Sequence, residues 1–323
     1  MGPSALSIFS ETLEESLTSM STPVTSLPAP TGRAYLFLVT TAMCWGANAI
    51  FGRLAVGEAS PMAVVAFRWL LVVILVLVFT RDHLKRDWPV LKSRMGWVIG
   101  SAVFGFSAFN SLFYVAAHHT TAINIGILQG AIPGIVMAGA FFLYSTPVTW
   151  LQAVGVLITM GGVVVVAIRG DLGQLAAIAI NPGDALMIVA CMFYAGYTVA
   201  LRNRPAVSPL GLFGLMAIVA FITSVPLAVM EMALGDFQWP TAFGWGVIVL
   251  VALLPSFLAQ VFFMLGVGII GPGRAGVFVN LVPLFAAALA VVVLSEPFEL
   301  FHGLAMVLVL GGIALSEKGK PSI

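Results

Sequence analysis

Residues 124–162, NIGILQGAIPGIVMAGAFFLYSTPVTWLQAVGVLITMGG, recur 150 positions later as residues 274–312, RAGVFVNLVPLFAAALAVVVLSEPFELFHGLAMVLVLGG. The alignment needs no gap. Gly126, Pro133, Ser145, Pro147, Gly161 and Gly162 fall on Gly276, Pro283, Ser295, Pro297, Gly311 and Gly312. A shift of 148 carries the match toward the N-terminus, where Ser60-Pro61 falls on Ser208-Pro209. The chain is duplicated, and the character of one copy decides the fold of the whole.

That character is set by a near absence of charge. Between Arg94 and Arg169 lie 74 consecutive residues without Asp, Glu, Lys or Arg. A membrane crossing takes about 20 apolar residues, so this stretch alone holds three. Over all 323 residues 60% are apolar and 8% charged, against about 25% charged in a soluble domain. Mean hydropathy is +1.09. A net charge of +1, with no basic cluster interleaved with aromatics, excludes nucleic acid as a partner.

Prolines, glycines and the few charges divide the remainder into ten expected crossings. In the first half these are α1 (Ala34–Gly52), α2 (Met62–Thr80), α3 (Gly96–Ala117), α4 (Ala122–Leu143) and α5 (Val148–Ile168). In the second half they are α6 (Asp184–Leu201), α7 (Ser208–Met230), α8 (Ala242–Leu265), α9 (Ala275–Leu294) and α10 (Leu300–Ser316). The apolar piece Leu172–Ile180 is too short to cross and reads as an interfacial loop. Residues 1–32 are rich in Ser, Thr and Pro, lack the basic start and apolar core of a secretory signal, and read as a disordered cytoplasmic tail. The domain plan is a first repeat over 33–170 and a second over 181–318. Five crossings per copy is an odd number, so the second copy runs through the bilayer inverted relative to the first.

Of 14 Lys and Arg residues, eleven lie on the side that carries both termini: Arg33, Arg81, Lys85, Arg86, Lys92, Arg94, Arg202, Arg204, Arg274, Lys318 and Lys320. Arg53 and Arg169 lie opposite, and Arg68 falls inside α2. Cytoplasmic loops carry the basic excess, so both termini are expected in the cytoplasm of a cell with this chain in its inner membrane. The run RDHLKRDWPVLKSR between α2 and α3 reads as the main topological anchor. Cys44 and Cys191 sit in different apolar segments without metal-type spacing and read as core residues, with no disulfide, metal or cofactor implied.

The segments CWGANAIFGRLAVGEASPMAVVAFRWLL and LYSTPVTWLQAVGVLITMGGVVVV, with GDALMIVACMFYAGYTVALR and LSEPFELFHGLAMVLVLGGIAL in the second half, resemble the two EamA repeats of the drug/metabolite transporter superfamily. The resemblance runs from Arg33 to Glu317. It implies an all-α membrane protein of ten crossings in two inverted repeats. It also implies a secondary transporter, by family an exporter, of a small metabolite or drug-like solute. One departure is visible: Ser145-Thr146-Pro147 stands where such repeats often carry Glu before Pro, whereas Glu296-Pro297 keeps the pattern.

A solute site is sought among polar groups placed in hydrocarbon, where each is costly and tends to face a cavity. Trp45 and Asn48 share a face of α1, and Asn110 and Tyr114 share a face of α3. To these are added Asn124 and Gln129 in α4, Tyr197 in α6, Gln260 in α8 and Asn280 in α9, each amide reading either as cavity lining or as a bridge between helices, whereas Tyr194 reads as packing. Asn110 falls on Gln260 under the 150-residue shift, which places an amide on each side of the pseudo-twofold axis. Arg68 lies six residues into α2, about 9 Å of helix rise from its start. It reads either as a snorkelling side chain or as a planar fork for an anionic group; Met216 stands in its place in the second copy. Pro133 and Pro283 fall in mid-helix and read as paired hinges or fixed kinks. The Gly161-Gly162 and Gly311-Gly312 pairs suit close packing of α5 on α10.

Rival classes fit less well. An enzyme needs a nucleophile with its base, clustered acids or metal ligands, and His118-His119, as neighbours on a helix, point apart. A channel needs a charged ring or a carbonyl filter. A non-transporting receptor with a small-molecule pocket is the alternative to a transporter. The expected partners are a small-molecule substrate and the lipid bilayer, and a homodimer is compatible with the reading. Asp184, Glu231, Glu296 and Glu299 fall near span ends, so the sequence announces no buried carboxylate for proton coupling.

Overall fold

A computed structural model describes residues 31–171 and 181–319 of the chain. Among these residues ten helices are long and apolar enough to cross a membrane. They are α1 (Gly32–Leu54), α2 (Pro61–Phe79), α3 (Met95–Ala117), α4 (Ala122–Tyr144), α5 (Trp150–Ala167), α6 (Pro182–Asn203), α7 (Pro209–Ala233), α8 (Ala242–Ile270), α9 (Arg274–Leu294) and α10 (Leu300–Lys318). The expected tail lies outside the described residues except for its last two, which open the first helix at Thr31. The piece Leu172–Ile180 lies outside them as well.

Helix starts are where local chemistry dictates them. The side chains of Thr121, Thr149, Ser208 and Thr241 accept from backbone N–H groups three residues on, satisfying donors that a helix start leaves open. Thr149 with Gln152 forms a full capping box, and the positions 150 residues later, Glu299 with His302, form another. The α8 span runs five residues past its expected end at Leu265. Gly266 and Gly268 read as punctuation, but Gly266 is where the side chain of Leu38 on α1 fills the space a Cβ would need.

Two pairs of irregularities repeat across the halves. Both α4 and α9 are broken helices: Ala122–Gln129 and Ile132–Tyr144 in one, Pro272–Val279 and Val282–Leu294 in the other. Pro133 and Pro283 sit in the first turn of each second segment, where a missing N–H breaks no hydrogen bond. Each second segment ends on a left-handed serine, Ser145 at φ 51° and Ser295 at φ 53°. Likewise α3 and α8 widen into π-helical turns at Val103–Ala108 and Ala252–Leu258. Such turns free carbonyls from the helix ladder and tend to fall at functional sites.

The segment read as an anchor folds into a helix of its own, Arg81–Ser93. Its Asp87 is buried and accepts from the backbone N–H of Ser208 at 2.9 Å and from the Ser208 hydroxyl, which ties the α2–α3 connection to the start of α7. The α5–α10 pair packs most closely at Gly155, Gly162 and Gly312, whose missing side chains let backbones approach; Gly161 and Gly311 face open space. One glycine of each expected pair therefore makes the contact, and Gly155 joins them.

Among the described residues the facing repeat closes around the first segment of α4 and not around the first segment of α9. The first segment of α4, Ala122–Gln129, is buried over Ala122–Leu128 and packs on α1, α6, α9 and α10. Its repeat counterpart, Pro272–Val279, packs on α1 and α8, has no comparable contact with α4, and leaves Arg274, Gly276 and Val277 exposed. Around these two segments the bundle is sealed at the end away from the termini and parted at the end that carries them.

Candidate functional site

Between the halves lies a cavity of about 140 Å³, some ten times the roughly 10–15 Å³ that one water needs. Its wall takes Trp45 and Asn48 from α1, Arg68 and Trp69 from α2, Phe106, Phe109 and Asn110 from α3, and Gln129 and Pro133 from the break in α4. Tyr194, Phe213, Pro255, Ser256, Gln260, Asn280 and Pro283 complete it from the second half. The lining is mostly apolar, with six aromatic side chains and several convergent polar groups, the composition of a small-molecule pocket.

Arg68 is the charged group in this wall and is only 6% exposed. It does not snorkel. Its Nε donates to Ser256 Oγ at 2.7 Å, and its Nη1 donates to Asn110 Oδ1 at 2.5 Å and to Tyr114 Oη at 3.1 Å. Each partner is itself held. The Ser256 hydroxyl donates to Val251 O at 2.6 Å, a carbonyl freed because Pro255 brings no N–H to the π-helical turn. The Asn110 amide donates to Phe106 O at 2.6 Å in the matching turn of α3. The Tyr114 hydroxyl donates to Asn48 Oδ1 at 2.9 Å. Trp69 and Tyr114 present ring faces 5.2 and 5.9 Å from the guanidinium carbon, an arrangement that favours a cation.

This cradle is built of neutral groups. Among the described residues no carboxylate lies within ion-pair distance of Arg68, and its Nη2, with two N–H donors, has no protein acceptor. Trp69 Nε1 is also buried, without a hydrogen-bond partner among the described residues. A buried cation without a counter-charge is costly, and unpaired donors beside a cavity are places for a ligand.

Of the twelve residues singled out in the sequence, nine line the cavity: Trp45, Asn48, Arg68, Asn110, Gln129, Gln260 and Asn280, with Pro133 and Pro283. Tyr114, Asn124 and Tyr197 stand outside the lining. Asn124 bridges α4 to α6 through Asp184. Tyr114 is 1% exposed and acts behind Arg68, while Tyr197 packs over Gly105 and against Phe106. Tyr194, read as packing, lines the cavity in its stead. A signal existed: setting Arg53 on Arg202 superposes Trp45 on Tyr194 at a shift of 149. Asn110 and Gln260 differ in role, since both functions of the Asn110 amide are occupied, while Gln260 makes no side-chain hydrogen bond among the described residues. Ser256 carried no signal of its own. The acids near span ends also differ, for Asp184 is fully buried.

Comparison with known proteins agrees with this architecture. The model of the EamA-like transporter family matches residues 32–168 and again 181–317. The uncharacterized transporter YetK of Bacillus subtilis is 26% identical over 294 residues, covering 89% of this chain and 88% of that protein. An uncharacterized transporter of Archaeoglobus fulgidus is 25% identical over 296 residues, covering 88% and 97%. One solved crystal structure superposes with a TM-score of 0.60 at 19% identity, over 88% of this chain and 96% of that one, which speaks to the fold alone. The chain is a multi-pass membrane protein and belongs to the EamA-like transporter family.

Proposed function

We propose that the chain is a secondary transporter that carries a small solute bearing an anionic group out of the cell across the inner membrane, by alternating access. The observation behind this reading is Arg68, a charged fork held in the cavity by neutral groups alone, with Nη2 left for a ligand oxygen. A carboxylate or phosphate would supply the missing counter-charge, and the surrounding rings of Trp45, Trp69, Phe109 and Tyr194 suit an apolar body. The basic excess on the terminal side supports cytoplasmic termini. With that orientation the parted end of the bundle faces the cytoplasm and admits solute from inside. The broken helices α4 and α9, which meet at the cavity through Pro133 and Pro283, are the elements whose segments would swing in turn.

Proteoliposomes loaded with a cell extract test the proposal. Compounds lost from vesicles that hold the chain, but retained by protein-free vesicles, are identified by mass spectrometry. Small anions are expected among them, and Arg68→Lys should abolish their loss at unchanged membrane abundance. If nothing leaves, a non-transporting receptor becomes the better reading. If only neutral or cationic solutes leave, and leave as fast through Arg68→Lys, the anionic site is wrong.

A further inference from the structure

Asp184, in the first turn of α6 at the sealed end, is fully buried. Its Oδ1 accepts from Thr120 Oγ1 at 2.5 Å, and Asn124 Nδ2 donates to its two oxygens at 3.2 and 3.3 Å. Behind Asn124 stands His302, whose Nε2 lies 3.2 Å from Asn124 Oδ1 while its Nδ1 accepts from the backbone N–H of Glu299 at 3.0 Å. That network assigns the tautomer: Nδ1 accepts, so Nε2 carries the proton and donates to Asn124. A second ring proton would point at the Glu299 N–H, so His302 is kept neutral by its own place in the start of α10. The chain from His302 through Asn124 therefore brings Asp184 only neutral donors.

Among the described residues no basic side chain lies within ion-pair distance of Asp184. The field of Arg169, at the end of α5, reaches both Asp184 and His302. Glu296 and Glu299 act on His302, and Glu296 is engaged elsewhere: it accepts from the N–H groups of Ala122 and Ile123 at 2.9 and 3.1 Å and lies 3.9 Å from Arg53. His119 abuts Gly183, and His118 beside it, beyond the end of α3, is pushed below the ordinary imidazole range by burial, then by His119 and Arg53.

An ionised carboxylate buried without a cation is costly. We propose that Asp184 is a proton-binding site whose occupancy is coupled to the sealed end: with the proton bound the end stays closed, and the proton passes to water as the end opens. The exchange balances as one proton, leaving the carboxyl group for solvent while the carboxylate gains hydration. Thr120 suits both forms, since its hydroxyl can donate to the carboxylate or accept from the acid. A sodium ion is disfavoured, because the site presents O–H and N–H donors where a cation needs oxygen acceptors.

The repeat counterpart lacks an acid. Asn124 falls on Arg274, and with Arg53 set on Arg202 the residue opposite Asp184 is Tyr35. Arg274 donates to the Tyr35 hydroxyl at 2.9 Å on the exposed, parted end. Proton coupling thus resides at one end alone, which gives a duplicated bundle a polarity. The inference rests on the alternating-access reading, but its test uses no substrate, so either can fail without the other.

In the full-length chain with Cys44→Ala and Cys191→Ala, Ile123→Cys places a thiol in the buried first turn of α4. Its labelling by a water-soluble maleimide is followed in nanodiscs from pH ~5 to pH ~8, normalised to Asp236→Cys at an exposed position. The wild-type background should label at least tenfold faster at the alkaline end, through one midpoint that survives His118→Gln. Asp184→Asn, a permanent neutral mimic, should label slowly at every pH, and Asp184→Glu should restore the pH response. Labelling independent of pH in the wild-type background, the same midpoint in Asp184→Asn, or a response to sodium at constant pH would each overturn the proposal. Should Asp184→Asn fail to reach the membrane, infrared difference spectra of the wild-type chain decide: a protonated-carboxyl band lost as pH rises supports the site, and its absence throughout overturns it.

Discussion

At the residue scale, two amides that the repeat superposes do different work. Asn110 is a positioning residue: its Oδ1 holds Arg68, and its Nδ2 occupies a carbonyl in the π-helical turn. Gln260 meets the cavity directly. Asn110→Asp keeps the volume and the acceptor but places an internal anion against the guanidinium, where it competes with the solute for the same charge. We expect anion transport through this variant to fall at least tenfold at near-normal abundance. Gln260→Ala should lose no more than about threefold, the equivalent of a membrane hydrogen bond worth about 0.6 kcal/mol. Transport per folded molecule, measured for both, checks the difference; equal losses would mean that Arg68 is not what the solute reads.

At the element scale, α5 and α10 pack backbone against backbone. A Cβ on Gly312 would strike the Gly155 carbonyl and the Thr159 backbone, groups that cannot rotate away, whereas one on Gly311 meets nothing within 4 Å. Gly312→Ala must therefore separate two helices and is expected to cost about 1–3 kcal/mol, the usual range for overpacking. Gly311→Ala should be neutral or stabilising by up to about 1 kcal/mol through helix propensity. Thermal unfolding of the two purified variants checks this: a midpoint lowered by several degrees for Gly312→Ala alone is expected, and equal midpoints would remove the close-packed face. The pattern GG shows where small residues cluster but not which of the two faces a neighbour. That choice depends on the angle at which α10 crosses α5.

At the scale of the whole molecule, ten crossings put Thr31 and Gly319, the ends of the described residues, on one side. The basic residues favour the cytoplasm for that side. A fluorescent protein fused after Ile323 should be bright, and alkaline phosphatase inserted at Asp236, in the α7–α8 connection, should be active. The opposite pair of results would invert the topology and with it the direction assigned to the parted end.

Membrane residence, ten crossings and the inverted duplication were legible in the sequence, because all three follow from one-dimensional patterns: apolar length, sparse charge and a repeat at constant offset. Most of the polar cavity residues, Ser256 aside, were legible for a related reason, since a polar side chain in hydrocarbon has few places to go other than the bundle interior. What surrounds each of them was decided only in three dimensions. The neutral cradle of Arg68 draws on α3 and α8, 42 and 188 residues away in sequence. The burial of Asp184 depends on how α6 meets the α3–α4 turn. Which end of a nearly symmetric bundle is sealed lies beyond any repeat alignment, for duplication makes the two ends alike in pattern, and only the packing of Ala122–Gln129, against the parted Pro272–Val279, sets them apart.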